Sequence, residues 1–336
     1  MDHPVKIFRE ELNSGIALYH LENSCIRLTV TNIGAAMVKL ETKDRCGAFR
    51  DVVLGFDTLE KYRDNTTYFG AIVGRFAGKV VPADFLWQGR RISLARDADG
   101  VHLHGGPGAL SFRPWSVKVQ EDALRLHIHS PAGDNGYPGD MDIQVIYRLE
   151  DSSVCLSYPA WADRCTPVNL IAHPYFNLTG HDSGSVLTHR LYLNADSFHD
   201  TEAPWPQSAQ ILSCEAYGAH DFRQMRTFPQ AAYDCNYVLN KTSAADAALY
   251  APESGILMEV SCTQPCMQLY TACETHEAGK NGANYQPYDA VCLEAQHFPN
   301  AVNIPGVETP YTGPDGCYRH RVRYTFSAVE SPDYLE

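Results

Sequence analysis

Apolar and polar residues alternate with a period of two in several stretches of the chain. The alternation covers Ile26 to Thr31, Leu124 to His129, Met141 to Leu149, Val154 to Tyr158 and Val322 to Phe326. Because successive side chains of a strand point to opposite faces, this pattern predicts β-strands that each bury one face. Turn-forming sequences such as DNGYPG (134–139) and GPDG (313–316) separate these strands.

Helical periodicity is scarce. The clearest short helix is predicted at Thr58 to Tyr62, and a weaker one at Ser243 to Tyr250. Many short strands with few helices favour a sandwich or a barrel over alternating strands and helices. No internal repeat or linker divides the chain, so the sequence predicts one large antiparallel all-β domain over residues 1–336.

Composition narrows the class of protein. The 336 residues are 44% apolar and 11% aromatic, which suffices for a core and excludes global disorder. A formal net charge of −13 argues against nucleic acid or an anionic membrane as the main partner. The sequence has no apolar run long enough to span a membrane and no secretory signal at its start, so we expect a cytoplasmic protein.

The eleven cysteines are scattered along the chain. Cys262 and Cys266 are the closest pair, and no second close pair matches them. A structural zinc site requires two such pairs, or one pair with two histidines. We therefore interpret the cysteines as free thiols in a reducing compartment.

The stretch PVNLIAHPYFNLTG (167–180) contains the first candidate for chemistry. Its apolar run, Val168 to Ala172, predicts a buried strand that ends at His173. Pro174 confines the preceding residue to extended conformations, so the backbone of His173 is constrained. An imidazole held there titrates near neutral pH and can donate or accept a proton. The alternative is a structural histidine of the core.

A second candidate is the sequence HLHGG, which begins at His102. In an extended chain His102 and His104 point to the same side, and Gly105 and Gly106 let a ligand approach the backbone. The two histidines alone do not make a metal site, because the sequence identifies no third ligand. A polar outer strand face is the other interpretation.

Two carboxylates complete the set of candidates. Glu294 follows the apolar residues Val291 to Leu293, and we expect it at the end of a strand. A carboxylate in apolar surroundings has a partner or a raised pKa, and a raised pKa suits a general base, although a solvated strand face is the common alternative. Asp234 precedes a short strand and by itself looks like an ordinary turn residue.

An imidazole and a carboxylate in opposite protonation states form an acid/base pair without nucleophile, metal or cofactor. The sequence contains no nucleophile elbow, phosphate-binding loop or dinucleotide fingerprint. The predicted chemistry is therefore proton transfer on a neutral polar substrate, with no cofactor and no metal.

Ten short motifs occur along the chain in an order that resembles one known family. They are TNIGA at Thr31, DVVLGFD at Asp51, YFGAIVGR at Tyr68, LHGG at Leu103, NGYPGD at Asn135, PVNLIAHPYFNL at Pro167, HDFR at His220, YDCNYVL at Tyr233, MQLYT at Met267 and CLEAQHFPNAVN at Cys292. Each motif is weak alone, but together they make the chain resemble the aldose 1-epimerase (galactose mutarotase) family over nearly its whole length.

The resemblance implies a large antiparallel β-sandwich with a sugar in an open cleft. By this resemblance, Glu294 is the general base on the anomeric hydroxyl, His173 the general acid on the ring oxygen, and His104 assists. Asp234 and Gln268 hold ring hydroxyls. The implied reaction opens the ring to the aldehyde, rotates the C1–C2 bond and closes the ring on the other face.

The chain departs from the family pattern mainly at residues for recognition. Gly78-Lys79 stands where the family usually carries Asn-Arg, and His102 stands where an Asn usually precedes LHGG. With Arg75, these three are further predicted substrate contacts. The loop APWPQ (203–207) replaces the family's Pro-Thr-Gly, and Trp205 in it is a candidate for stacking on a sugar.

Galactose or glucose is the default substrate, and three alternatives stay open. The first is a phosphorylated or otherwise modified hexose. A phosphate requires a cationic cluster, for which Arg75, Lys79 and Arg96 are candidates. A sugar-binding protein without turnover requires no matched acid and base. A metal-dependent hydrolase depends on His102 and His104. The sequence leaves the oligomeric state open.

Overall fold

The computed structural model describes residues 5–12, 15–199 and 210–332, and β-strands dominate it. Up to residue 162 the strands are β1 (Lys6–Glu11), β2 (Ala17–Glu22), β3 (Ile26–Thr31), β4 (Met37–Lys43), β5 (Phe49–Asp51), β6 (Ile72–Val73), β7 (Lys79–Val80), β8 (Asp84–Trp87), β9 (Arg90–Ser93), β10 (His102–Leu103), β11 (Ser116–Val119), β12 (Leu124–Ser130), β13 (Met141–Glu150) and β14 (Ser153–Ala162).

The second half of the chain continues in the same way. Its strands are β15 (Thr166–Pro167), β16 (Ile171–Ala172), β17 (Arg190–Leu193), β18 (Ser197–His199), β19 (Ile211–Ser213), β20 (Arg226–Thr227), β21 (Asp234–Val238), β22 (Ala247–Ala251), β23 (Ile256–Cys262), β24 (Cys266–Tyr270), β25 (Glu277–Ala278), β26 (Asn284–Tyr285), β27 (Cys292–Gln296), β28 (Tyr311–Thr312) and β29 (Tyr318–Ala328).

Three large sheets organise these strands. A nine-stranded sheet has the order β11-β12-β13-β14-β29-β23-β22-β17-β20. One five-stranded sheet has the order β1-β2-β3-β4-β5, and the other has the order β19-β18-β21-β24-β27. Neighbouring strands in all three run antiparallel. The predicted antiparallel all-β fold is confirmed.

One hydrophobic core joins the three sheets, with the nine-stranded sheet packed against the two smaller ones as a sandwich. Its members include Leu28 of β3, Tyr147 of β13, Leu269 of β24, Leu293 of β27 and Tyr324 of β29. Burying one face of each strand in this core explains the period-two alternation of the sequence. The shared core supports our proposal that the chain is a single domain.

The strands predicted from alternation are present as β3, β12, β13, β14 and β29. The helix predicted at Thr58 to Tyr62 is a 3-10 helix, Leu59–Asp64. The helix predicted at Ser243 to Tyr250 is wrong, because this segment leads into the fully buried central strand β22. A buried run of five apolar residues has the same sequence pattern in a helix and in a strand. Pairing with β17 and β23 makes this segment a strand.

Further 3-10 helices are short connections at Leu110–Phe112, Asp134–Gly136, Val186–Thr188, Gly218–His220, Lys280–Gly282 and Ala301–Asn303. Among the described residues, no helix has the length and apolar character needed to cross a membrane.

Candidate active site

Polar side chains form a row across three neighbouring strands of the second five-stranded sheet. Asn236 of β21 pairs with Gln268 of β24, and Gln268 pairs with Glu294 of β27. Cross-strand partners lie on the same face of a sheet, so these three side chains point to the same side. The intervening residues, such as Leu269 and Leu293, face the hydrophobic core. The alternation of these strands therefore builds a polar surface on an apolar base.

This polar face is the floor of a half-open cleft of about 670 Å³. Its lining includes seven of the nine predicted site residues, namely Gly78, Lys79, His104, His173, Asp234, Gln268 and Glu294. Aromatic and polar side chains thus converge in one concavity, as in sites for small polar ligands.

His173 follows β16 directly, as the sequence predicted, and is 5% exposed. Its ring lies between two tyrosine rings, with centroids 5.0 Å from Tyr175 and 6.2 Å from Tyr68, both nearly parallel. This stacking orients the imidazole toward Glu294. The prediction of titration near neutral pH is not met, because burial lowers the pKa of His173 to about 4.

Glu294 is 3% exposed and lies in the middle of β27, not at the strand end that we expected. Burial, with the negative charge of Asp234 as a second cause, raises the pKa of its carboxyl group well above the ordinary value. Its Oε1 atom lies 3.4 Å from Nε2 of His173.

The opposite pKa shifts of His173 and Glu294 have one physical origin. Burial disfavours a net charge, so the pair resists gaining a second proton and also resists losing its last one. The pair therefore carries one proton over a wide range around neutral pH. The two shifts place this proton on Glu294, and its transfer to His173 makes the two side chains a base and an acid for one substrate.

His104 follows β10 in a left-handed conformation with φ of 48°. The next residue must be glycine, because a Cβ on Gly105 would lie 1.9 Å from the carbonyl oxygen of Gly74. Nδ1 of His104 accepts a hydrogen bond of 3.2 Å from the backbone N–H of Gly78. Burial lowers the pKa of His104 well below its usual value, so the ring is neutral and its proton is on Nε2. His104 is thus a hydrogen-bond donor to the cleft.

A chain of oriented amides links the floor of the cleft to Asp234. Nε2 of Gln296 donates to Oε1 of Gln268 (3.1 Å), and Nε2 of Gln268 donates to Oδ1 of Asp234 (2.6 Å). This arrangement leaves Asp234 with acceptor positions and Gln268 with one N–H for a ligand. Both are suited to hydroxyl groups.

The prediction that His102 contacts the substrate is wrong. The backbone turns at His104, so the two histidines do not share a strand face as we predicted. His102 is fully buried, with Nδ1 close to the carbonyl oxygen of Ala95 and Nε2 2.6 Å from the hydroxyl of Tyr137. It does not line the cleft and supports the loop behind it, and the hypothesised metal site on this pair is not formed.

The prediction that Arg75 contacts the substrate is also wrong. Its guanidinium is buried and donates to Oγ of Ser130 and to the carbonyl oxygens of Ser130, Pro131, Pro138 and Gly139. It therefore holds the 130–139 loop and does not reach the cleft. Arg96 is exposed and also lies outside the cleft lining, so the predicted cationic cluster with Lys79 is not assembled.

Among the described residues, one group could hold a metal ion. His173, Cys292 and Glu294 bring one ligand atom each within 4.8 Å of one another. A cation there would occupy the acid and the base themselves. None of the eleven cysteines, all of which lie in the described part of the chain, forms a disulfide.

Some lining residues were missed by the sequence reasoning. Tyr68, Asn236, Gln296 and the rim residues Cys273 to Glu277 line the cleft. Asn236 and Gln296 were detectable, because each lies two positions from a predicted site residue on a strand. The rim belongs to a loop. Loop residues have no periodic pattern in the sequence from which the direction of their side chains could be predicted. Trp205 and the loop 203–207 lie outside the described residues.

Comparison with known proteins shows the family of this chain. The profile of the aldose 1-epimerase family matches residues 17–325. Galactose mutarotase of Bos taurus is 33% identical over 322 residues, which cover 93% of this chain and 94% of the bovine protein. Galactose mutarotase of Homo sapiens is 32% identical over 333 residues, covering 95% and 97%.

Solved structures extend the likeness to the fold. The structure of a GalM/aldose epimerase homologue from C. elegans matches with a TM-score of 0.86 and 25% identity. The match covers 97% of this chain and 99% of the nematode chain. Sequence, fold and family profile agree over nearly the whole length, and the chain belongs to the aldose 1-epimerase family of isomerases.

Proposed function

We propose that this protein interconverts the α and β anomers of a free aldohexose, with galactose or glucose as the default substrate. The single observation that carries the proposal is the buried His173–Glu294 pair, 3.4 Å apart, at the floor of a polar cleft. The galactose mutarotase names of the relatives support the choice of sugar.

The mechanism uses the one proton of the pair. Glu294 in its ionised form takes the proton from the C1 hydroxyl while protonated His173 gives its proton to the ring oxygen, and the C1–O5 bond breaks. The open-chain aldehyde rotates about C1–C2. Ring closure reverses both transfers, because His173 takes the proton of the C5 hydroxyl and Glu294 returns a proton to the aldehyde oxygen. Each turnover thus restores the starting state.

The remaining side chains orient the sugar. The Nε2–H of His104 donates to an oxygen close to the reacting bond, and this donor requires no proton transfer of its own. Asp234 accepts from ring hydroxyls and Gln268 donates to them. Lys79 lies at the cleft and is a further sugar contact in this proposal. No cofactor is required.

A neutral sugar fits the cleft better than a phosphorylated one. Lys79 is the one lysine or arginine in the cleft lining that the described residues form, whereas a phosphate site uses several such groups. We also propose a cytoplasmic location, which fits the lack of disulfides among the eleven described cysteines.

The test is polarimetry of freshly dissolved α-D-galactose and α-D-glucose with wild type, Glu294→Gln and His173→Asn. Wild type is expected to accelerate the approach to anomeric equilibrium, and each substitution to slow it by roughly 10²–10⁴-fold. Activity that survives Glu294→Gln would show that another group is the base. Binding of sugar by calorimetry without any acceleration would show a binding protein instead.

A further inference from the structure

His173 lacks the hydrogen bond that orients many catalytic histidines. In such enzymes the second ring nitrogen bonds to a carboxylate or a carbonyl oxygen, and this bond fixes the direction of the ring. Here Nε2 faces Glu294, and the buried Nδ1 forms no hydrogen bond to another residue in the described part of the chain. The orientation of the imidazole therefore depends on the two rings that flank it, Tyr68 and Tyr175.

One short turn, residues 65–69, reaches both of these rings. Tyr68 is part of the turn and flanks the imidazole of His173 directly. The next residue, Phe69, packs edge-on against Tyr175, with ring centroids 4.8 Å apart. The turn thus supplies one flanking ring and supports the other.

Asn65 holds this turn together. Its side chain is fully buried, and Nδ2 donates to the carbonyl oxygen of Phe69 (3.1 Å). Its Oδ1 atom accepts from the N–H of Phe69 (2.9 Å) and from the hydroxyl of Thr67 (3.1 Å). These bonds enclose Tyr68, whose φ of 59° is unfavourable for a bulky side chain. A residue stays in such a conformation only where the surrounding structure holds it there.

The segment after the turn binds the backbone of His173. The N–H of Gly70 donates to the carbonyl oxygen of His173 (3.0 Å), and the N–H of His173 donates to the carbonyl oxygen of Ala71 (3.0 Å). A Cβ on Gly70 would lie 2.0 Å from the carbonyl oxygen of Met37, so this close approach requires glycine. The turn is therefore fixed relative to the backbone of His173 as well as to its ring.

We propose that the turn 65–69 positions His173 for proton transfer, with Asn65 holding the turn and Tyr68 fixing the plane of the imidazole in place of a hydrogen bond at Nδ1. Neither side chain exchanges a proton with the sugar, so both are positioning residues. This inference rests on the proposed function and adds two residues to it beyond the acid and the base.

The first experiment measures kcat and KM for galactose with two variants of Tyr68. Asparagine adopts a positive φ more readily than most residues, so Tyr68→Asn removes the ring and keeps the turn. A displacement of about 1 Å can cost roughly 10²-fold in rate, so we expect kcat to fall roughly 10–10²-fold while KM changes less than about threefold. Tyr68→Phe keeps the ring and should recover most of this loss. Tyr217→Asn, at an exposed tyrosine outside the cleft lining, is the matched control.

The second experiment tests whether the effect passes through His173. In protein that already carries His173→Asn, Tyr68→Asn should cost little further, because no imidazole is left to orient. Asn65→Ala should lower kcat as Tyr68→Asn does, and the double variant should lose no more than the larger single loss. Each rate is referred to the folded fraction, measured by urea unfolding. If Asn65→Ala fails to fold, the variants of Tyr68 still decide the proposal.

The outcomes separate this inference from the proposed function. If Tyr68→Asn keeps the wild-type kcat, or if its loss is fully retained beside His173→Asn, the positioning role is refuted and the function stands. Equal losses for Tyr68→Phe and Tyr68→Asn would show that the hydroxyl group matters, which also refutes it. If wild type accelerates no free aldose, the proposed function and the positioning role are refuted together.

Discussion

Nε2 of His173 lies 3.4 Å from Oε1 of Glu294, and both side chains are almost completely buried. Burial moves their pKa values in opposite directions, to about 4 for the imidazole and well above the ordinary value for the carboxyl group. An isolated histidine of ordinary pKa would titrate near neutral pH, and an isolated glutamate would be ionised there. The pair instead shares one proton, which serves the general acid and the general base together.

This pair predicts the pH dependence of activity. The rate should be nearly constant around neutral pH and should fall toward and below about pH 4, where the pair gains a second proton and Glu294 cannot act as a base. It should fall again on the alkaline side, where the pair loses its last proton and His173 cannot act as an acid. The measurement is kcat/KM against pH by polarimetry. A single transition near pH 6.5 would contradict the shared proton.

Replacement of His104 should reduce catalysis without abolishing it. His104→Phe keeps a ring against Tyr68, 4.7 Å away, but removes the N–H that points into the cleft. Removal of one such donor at a developing charge costs roughly 10²–10³ in kcat in other enzymes. His129→Phe, at an exposed histidine outside the cleft, is the control and should keep the wild-type rate. Equal rates for His104→Phe and wild type would show that His104 takes no part in catalysis.

Arg75→Lys should lower stability and leave sugar binding intact. Lysine cannot reproduce the planar fork that donates to several carbonyl oxygens of the 130–139 loop. We expect a loss of about 2–4 kcal/mol in the free energy of unfolding by urea, with an unchanged KM for the folded protein. Arg91→Lys, on the exposed β8–β9 hairpin, should change stability by less than about 0.5 kcal/mol. A large rise in KM for Arg75→Lys would show that Arg75 contacts the substrate.

His189 predicts a dependence of stability on pH. Its Nε2 atom accepts from the backbone N–H of Leu178, and burial lowers its pKa to about 3. Because the folded-state pKa lies below the unfolded value, the contribution of His189 is complete above about pH 6.5 and is lost as the pH falls toward 3.

The measurement is the free energy of unfolding between pH 7 and pH 4 for wild type and His189→Gln. The variant should show a shallower decline, by up to about 1.4 kcal/mol per pH unit. His276→Gln, at an exposed histidine, is the control for the substitution itself. Identical slopes for wild type and His189→Gln would mean that His189 binds its proton equally well in the folded and the unfolded protein.

Chelation should not reduce activity. The proposed mechanism uses no metal, so protein treated with EDTA should keep its full rate of mutarotation. Added zinc should slow the reaction, because His173, Cys292 and Glu294 can offer it three ligand atoms. Loss of activity on chelation with recovery on adding zinc would contradict the metal-free mechanism.

The strands were predictable because one face of each is buried. Met141 to Leu149 alternates in sequence and forms β13, whose apolar positions enter the core. Ala247–Ala251 was not predictable, because a strand buried on both faces has no alternation and resembles a helix segment.

The chemistry of the site was likewise predictable only in part. The residue types at His173 and Glu294, and the proline that constrains His173, were visible in the sequence. Burial, which shifts both pKa values, depends on Tyr68, Tyr175 and the sheet around them. A residue's charge state in the fold is therefore not a property of its local sequence.

By itself the sequence determined the fold class, the strand pattern and the order of the motifs, because these depend on local alternation and on residue types. Only the tertiary structure decided which polar residues meet. It brings Gly78 to His104 and Gln296 to Gln268, and it buries Arg75 and His102 away from the cleft. The physical reason is that the pairing of distant strands and the turn at His104 set the direction of each side chain. Neither feature produces a repeating pattern of residues from which it could be predicted.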